Sequence, residues 1–264
     1  MKKIILTGGH SGMGLELSKK LLSENHQIGL IVRSDKRKIE TERLFQTTDK
    51  VDIFIADLSK RDNIKTVVKQ IQSAWGQLDG IFNNAGVLLD KLYLSDYGNE
   101  MQLEVNAIGP YLLTKGLLPL MVYSEKPFVV NTATAGLDRK KRVNVPEFKS
   151  PKKFKKLTGS YMDSKLALML MMNKLGEQYN KVRFVNVNPG AIKTKMTAGS
   201  GMPSFLKPIR NIFFKSPEYG ANNLYTAAFD TKFARNGTYI SNGKIKNFAL
   251  KLSDNELEQI LENS

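Results

Sequence analysis

Lys3-Ile4-Ile5-Leu6-Thr7-Gly8-Gly9-His10-Ser11-Gly12-Met13-Gly14-Leu15-Glu16-Leu17-Ser18 is the stretch that decides the fold. Its first five residues are a short apolar run stopped by glycine, the pattern of a buried parallel strand. From Leu15 to Leu22 the apolar residues recur at helical spacing. Between the two lies Gly8-x-x-x-Gly12-x-Gly14. Glycine allows backbone angles and close approaches that a Cβ forbids. A helix starting near Gly12 aims its free N–H groups at the turn, which suits a pyrophosphate. Strand, glycine turn and helix together read as a dinucleotide site, although a tight turn without a ligand has the same local pattern.

Outward from this unit the alternation continues. A second strand runs from Gln27 to Val32 and stops at Arg33-Ser34. Phe54-Ile55-Ala56 closes a third, and Ser59 is the expected N-cap of a helix reaching Trp75. Leu78 to Asn83 reads as a fourth strand. A long helix follows over Met101–Tyr123, with Gly109-Pro110 as an expected kink. Phe128 to Asn131 is a fifth strand, a helix carries Tyr161 on to about Tyr179, and Val182 to Asn188 is a sixth strand stopped by Pro189-Gly190. Strands and helices alternating in this way imply an α/β fold: one doubly wound parallel sheet with helices on both faces, the Rossmann layout. Neither a repeat nor a Pro/Gly/Ser linker interrupts the chain, so residues 1–264 are expected to form a single domain.

Composition narrows the function. The 264 residues contain no cysteine and only two histidines, His10 and His26, so thiolate and histidine-cluster metal sites are excluded. The amino-terminal apolar run is too short for a signal peptide, and Leu166–Met172 is too short to span a bilayer. A cytoplasmic location is the expectation. Forty basic against 25 acidic residues leave a net charge of +15, which raises anionic ligands, acidic membrane surfaces and nucleic acid as partners.

Chemistry appears in Gly159-Ser160-Tyr161-Met162-Asp163-Ser164-Lys165. Tyr161 and Lys165 are four residues apart, hence on one face of a helix. A phenol has a pKa near 10, and a fixed ammonium beside it favours the phenolate. Such a pair could pass a proton to or from a substrate oxygen. Arg33 stands at the end of the second strand, where folds of this kind read the adenosine ribose. A base there favours NADP(H) over NAD(H), with Lys36 and Arg37 as helpers.

Taken together, the Thr7-Gly8-x-x-x-Gly12-x-Gly14 turn, Asp57-Leu58, Asn83-Asn84-Ala85-Gly86, Tyr161-x-x-x-Lys165 and Pro189-Gly190 stand in the order and spacing of the short-chain dehydrogenases/reductases. The chain resembles that family over about residues 1–250. Residues 104–114, 160–167 and 216–221 are similar to its retinol-dehydrogenase-like and WW-domain-oxidoreductase-like branch. The resemblance implies that Gly8, Ser11, Gly12, Met13 and Gly14 form the cofactor turn. It implies Asp57 on the adenine with Leu58 packed nearby, and Asn84, Ala85 and Gly86 along the adenosine ribose. Asn106 would help hold a proton-relay water near Lys165. Tyr161 would be the acid/base, and Lys165 would bind the nicotinamide ribose and lower the Tyr161 pKa. Pro189, Gly190, Ile192 and Thr194 would flank the nicotinamide carboxamide and the phosphates.

One position departs from the family pattern. A serine usually ends the fifth strand and holds the substrate oxygen, but Asn131-Thr132-Ala133-Thr134-Ala135-Gly136 contains none. Counting from the strand puts Thr134 in its place; counting back from Gly136 gives Ala133. The strand-side count is preferred because the strand end fixes the side chain in space. A threonine hydroxyl donates the same hydrogen bond, with an added methyl in a site sensitive to small displacements.

Two further segments frame the site. Arg139–Arg142 and Lys152–Lys156 are basic runs that read as solvated faces or as attractors of anions; with only Phe148 and Phe154 nearby they do not read as a single-strand nucleic-acid surface. Met202–Lys215 mixes apolar residues with cations where the family carries substrate lids, and could cover an apolar substrate or touch a bilayer interface. The sequence therefore points to NADP(H)-dependent interconversion of a carbonyl and an alcohol. Its partner is a small molecule, with no specific nucleic acid; peripheral membrane contact and a homo-oligomer are compatible with it. The alternative is a catalytically weak NADP(H)-binding protein that docks on an acidic partner or membrane through its basic patches.

Overall fold

A computed structural model of the chain describes residues 1–202, 213–233 and 235–262. The decisive stretch folds as read. Strand β1 (Lys3–Thr7) is buried almost throughout, and helix α1 (Gly12–Ser23) buries Met13, Gly14, Leu17, Ser18 and Leu21, one stripe at helical spacing. Then come β2 (Gln27–Val32), α2 (Asp35–Leu44), β3 (Val51–Ile55), α3 (Arg61–Ala74) and β4 (Gly80–Asn83). A long helical segment comprises α4 (Met101–Leu103), a π-turn over Glu104–Ile108 and α5 (Gly109–Met121). The second half holds β5 (Phe128–Thr132), α6 (Val145–Lys149), α7 (Met162–Gln178), β6 (Arg183–Asn188), α8 (Lys195–Ala198), α9 (Pro217–Phe229), β7 (Thr238–Ser241), β8 (Lys244–Lys246) and α10 (Asp254–Leu261).

The eight described strands form one sheet in the order β3-β2-β1-β4-β5-β6-β7-β8. All pairs are parallel except β7 with β8. The order reverses between β1 and β4, and in such sheets the ligand crevice opens at the carboxyl ends of the strands flanking that reversal. Thr7-Gly8 and Asn83-Asn84 sit there. Two apolar clusters fill the faces. One gathers α3, α5, α7 and the C-terminal segment; the other gathers α1 and α9 against β1, β5 and β6.

Several expected boundaries change. The third strand ends at Ile55, and the fourth begins at Gly80 because the Leu78 N–H is spent on Leu120 O. Ser59 does not cap α3: its N–H and hydroxyl both donate to Asp57 Oδ1 (2.9 and 2.7 Å), and Lys60 takes the cap position. Gly109-Pro110 is not itself the break in the long helix. The distortion is the wide turn just before it, where Gly109 N–H reaches back five residues to Glu104 O. Strands β7 and β8 have no counterpart in the pattern read from the sequence. Of the expected lid, residues 203–212 lie outside the described residues; at its end Lys215 pairs with the chain around Ile192.

Helix α7 is buried on nearly all sides, from Ser164 through Met172. Leu252, Leu257 and Ile260 belong to the same cluster, and Lys174 pairs with Asp254 at 3.0 Å. The C-terminal segment thus covers the helix that carries Lys165.

Candidate active site

The glycine turn is shaped by contacts as well as by angles. Gly8 and Gly12 have φ of +70° and +52°, the left-handed region that favours glycine. A Cβ on Gly14 would stand 2.2 Å from Gly8 O, so only glycine lets α1 pack onto the turn. Gly9, not singled out from sequence, is as tight: its Cβ would meet Leu30 at 2.5 Å. The Asn84 amide donates to Thr7 O (3.1 Å) and Gly8 O (3.4 Å), while Thr7 Oγ1 accepts the Asn84 and Ala85 N–H groups at 3.0 Å. Asn84 is therefore a brace that joins the ends of β1 and β4. Its side chain is committed to the turn it was expected to help line.

A cleft of about 540 Å³ opens along these strand ends, a size typical of small-molecule sites. Gly8, Ser11, Gly12, Met13, Gly14, Asn84, Ala85 and Gly86 form one part of its wall; Thr134, Tyr161, Lys165, Pro189, Gly190, Ile192 and Thr194 form the other. Most of the residues expected from sequence are thus brought together. Arg33, Asp57, Leu58 and Asn106 lie outside that wall. Arg33 is exposed at the end of β2 and has no ion-pair partner among the described residues.

Lys165 is only 2% exposed and donates from Nζ to Thr132 O at 2.8 Å. A Cβ on Gly86 would lie 3.4 Å from that Nζ and 3.0 Å from Asn106 Oδ1, so all three groups converge on one point. Asn106 is wholly buried and makes three side-chain hydrogen bonds. It accepts Val87 N–H at 2.8 Å and donates to Val87 O and Ser164 Oγ at 3.0 Å each. Its side chain anchors the chain after Gly86, with both amide hydrogens spent and one lone pair of Oδ1 still open. Its carbonyl differs: four residues on stands Pro110, which has no N–H to donate to it.

Tyr161 is half-buried at the start of α7, behind a turn whose Gly159 departs from helical angles (φ −107°, ψ −114°). Burial pushes its phenol up to about 12 and pushes Lys165 down to about 8. Against the expected lowering by Lys165, the phenol is raised by burial, and the Lys165 ammonium is spent on Thr132 O. Thr134 faces the same cleft, and its carbonyl accepts Tyr239 OH at 2.7 Å, which pins the loop to β7. Of the basic runs, Lys140 is tied to Asp163 at 2.6 Å, while Arg139, Lys141, Arg142, Lys152 and Lys153 are exposed.

Two features escape a reading of the sequence. One is a buried amide ladder under the strand ends: Asn83 to Asn131 (2.9 Å), Asn131 to Asn186 (3.1 Å) and Asn186 to Asn173 (2.9 Å). It locks β4, β5, β6 and α7 into register beneath the cleft. Its only sequence trace is an asparagine at or near the end of each apolar run. The other is His10, which lines the cleft but in the sequence stands out only as one of two histidines.

The nicotinamide dinucleotide implied by the resemblance fits these residues. Gly8, Gly12 and Gly14 put bare backbone on the cleft wall, and two buried polar atoms of residues in that wall, His10 Nδ1 and Thr132 Oγ1, have no hydrogen-bond partner among the described residues. Such atoms call for a partner.

Comparison with known proteins agrees. Residues 2–202 match the family model described as short chain dehydrogenase. Retinol dehydrogenase 11 of Mus musculus is 27% identical over 246 residues, covering 91% of this chain and 77% of its own. Polyprenol dehydrogenase of Danio rerio is 26% identical over 261 residues, covering 92% and 79%. Among solved structures, salutaridine reductase from Papaver somniferum superposes with a TM-score of 0.70 at 18% identity, covering 90% of this chain and 99% of its own. A short chain dehydrogenase from Shigella flexneri, solved with NADP, gives 0.69 at 23%, covering 90% and 95%. No helix among the described residues is long and apolar enough to cross a membrane. The sheet order, the glycine cradle and a family match over most of its length lead to one conclusion: the chain belongs to the short-chain dehydrogenase/reductase family, on its retinol-dehydrogenase-like branch.

Proposed function

We propose that this protein is an NADP(H)-dependent oxidoreductase that interconverts a carbonyl compound and its alcohol, with Tyr161 as acid/base. The observation that carries the reading is the convergence of Tyr161, Lys165 and Thr134 on the cleft opened by the glycine turn. The cofactor supplies or accepts the hydride at the carbon that bears the oxygen. The chain does the rest. Thr134 Oγ1 donates to the substrate oxygen and orients it. Tyr161 Oη delivers its proton to that oxygen as the alcohol forms. Lys165 holds the ribose and keeps a cationic field beside the phenolate left behind, and the Asn106 carbonyl offers an acceptor on the path that returns the proton from solvent. Gly8–Gly14 would hold the pyrophosphate, and Arg33 the 2′-phosphate.

The deciding experiment is a panel of carbonyl and alcohol substrates with NADPH and NADH. Cofactor binding without turnover on any member would sink the enzymatic reading. It would favour the second one, a weak catalyst that docks through exposed bases such as Arg139, Arg142 and Lys152. Salt-sensitive binding to anionic vesicles would support that docking role.

Two variants probe the assigned roles. Arg33→Asp is expected to weaken NADPH by about 10- to 100-fold, the worth of a hydrogen bond to a charged group, and NADH far less. An unchanged ratio of the two affinities would remove Arg33 from cofactor choice. Thr134→Val keeps the shape and loses the hydroxyl, so kcat should fall by about 10²-fold or more, whereas Thr134→Ser should stay near wild type. Full activity in the valine variant would mean that another donor holds the oxygen.

A further inference from the structure

Thr134 stands just past the end of β5, and its hydroxyl serves a substrate only if the backbone aims it into the cleft. Peptide planes on either side of a residue leave few soft angles to set that aim. The plane between Thr132 and Ala133 is held at both ends: Thr132 O accepts Lys165 Nζ at 2.8 Å, and Ala133 N–H donates to Val187 O of β6 at 2.8 Å. The plane between Thr134 and Ala135 is held from β7, where Tyr239 OH donates to Thr134 O at 2.7 Å. In the sheet β6 separates β7 from β5, so this bond reaches past a whole strand. Tyr239 is 1% exposed, its ring meets Phe248 edge-on at 6.4 Å, and it lies outside the cleft wall. Burial pushes its phenol up, so at neutral pH the hydroxyl keeps its proton and stays a donor.

We propose that Tyr239 is a positioning residue for the reaction: its hydroxyl, bonded to Thr134 O, fixes the loop so that the Thr134 hydroxyl meets the substrate oxygen beside Tyr161. The inference rests on the reading of Thr134 as the donor to that oxygen. It adds a residue 105 positions away, in a strand that contributes nothing to the cleft wall. Threonine makes the demand on the loop sharper. Its methyl and hydroxyl share one Cβ, and β-branching leaves few rotamers. A turn of the backbone that swings the methyl into the place of the hydroxyl removes the donor and sets bulk against the substrate. The other tethers of the loop do not set this aim. The Lys140–Asp163 pair at 2.6 Å and the buried Leu137 both come after Gly136, whose left-handed backbone (φ +80°) turns the chain away from Thr134.

Tyr239→Phe removes one oxygen and leaves the ring in its packing. The expected result is a kcat lowered by about 10- to 100-fold, the cost of a small misplacement at the reacting atoms, with NADPH affinity within about a factor of two of wild type. In a Thr134→Val background the same substitution should change kcat by less than about twofold, because the hydroxyl it would misplace is already gone. Residue-resolved hydrogen exchange of the free protein gives a readout that needs neither cofactor nor turnover. The Ala135 and Gly136 amides should exchange faster in Tyr239→Phe, while those of β6 and α7 keep their rates. An unchanged kcat, a loss as large in Thr134→Val as in wild type, or loop amides that exchange as before each overturn the proposal. So does exchange that rises throughout β6 and α7, which would make Tyr239 a general support of the sheet. Full turnover in Thr134→Val alone would remove the donor reading itself, and the proposal with it.

Discussion

Tyr161→Phe is expected to lower turnover by about 10³-fold or more, toward the upper end of what a positioned general acid supplies, while NADPH binding stays within about a factor of two by the same criterion of a role confined to proton transfer. The substitution removes one oxygen from a half-buried ring and leaves the packing of the turn before α7 intact. Cofactor fluorescence measures binding, and single-turnover reduction measures the chemistry. Retained turnover would transfer the acid/base role elsewhere. The pH dependence has a defined sign. Burial pushes Tyr161 up to about 12, so at neutral pH it is a phenol, ready to donate. Carbonyl reduction should hold steady through neutrality, and alcohol oxidation, which needs the phenolate, should climb with alkalinity. An oxidation rate that is flat from pH 7 to 10 would contradict the assignment.

Lys165→Met is expected to suppress turnover by at least about 10²-fold and yet leave the protein as stable as before, or more so. Lys165 is held at about 8 against an ordinary value of 10.5, which corresponds to roughly 3 kcal/mol. The sign depends on which state holds the proton. Below pH 8 both folded and unfolded chains are protonated and the whole cost of burying the charge is present. Between 8 and 10.5 the unfolded chain binds the proton and the folded one does not, so stability rises with pH; above that window the cost is gone. Methionine removes the charge but leaves Thr132 O without its donor, an offset of about 1–3 kcal/mol. Thermal melting at pH 7 should therefore show no loss, and any advantage of the variant should shrink above pH 9. A variant that melts well below wild type would show that Lys165 is retained for structure.

How much of this could be read from the chain depends on range. The unit from Lys3 to Ser18 was legible because a strand, a glycine turn and a helix are each local patterns, and the glycines are required by contacts within a few residues and one neighbouring strand. Thr134, reached by counting from Asn131, lines the cleft, and so does Ala133, reached by counting back from Gly136. Strand β7 was not legible. Thr-Tyr-Ile-Ser is too short to declare itself and exists through its pairing with β6. The asparagine ladder was hidden for a similar reason: a polar residue after an apolar run reads as a stop, and only the register between strands turns Asn83, Asn131 and Asn186 into neighbours. The Tyr161 shift failed in sign because spacing gives proximity to Lys165 but says nothing of desolvation.

Arg61 joins residues that are far apart in the chain. Its guanidinium pairs with the buried Glu104 at 2.8 Å, donates to Leu261 O at 2.8 Å and lies 4.2 Å from the centre of the Tyr97 ring. Glu104 opens the π-turn that contains Asn106, so one side chain connects the cofactor-side helix to a carbonyl 200 positions further on. For a chain made from its N-terminus, this sets an order of events. Every residue of the cleft wall has been synthesised before residue 261 is available to close that contact, and a closure of such length is slow to find. Arg61, Asn99 and Glu104 are all available long before that, so the brace on the π-turn precedes its link to the C-terminal segment.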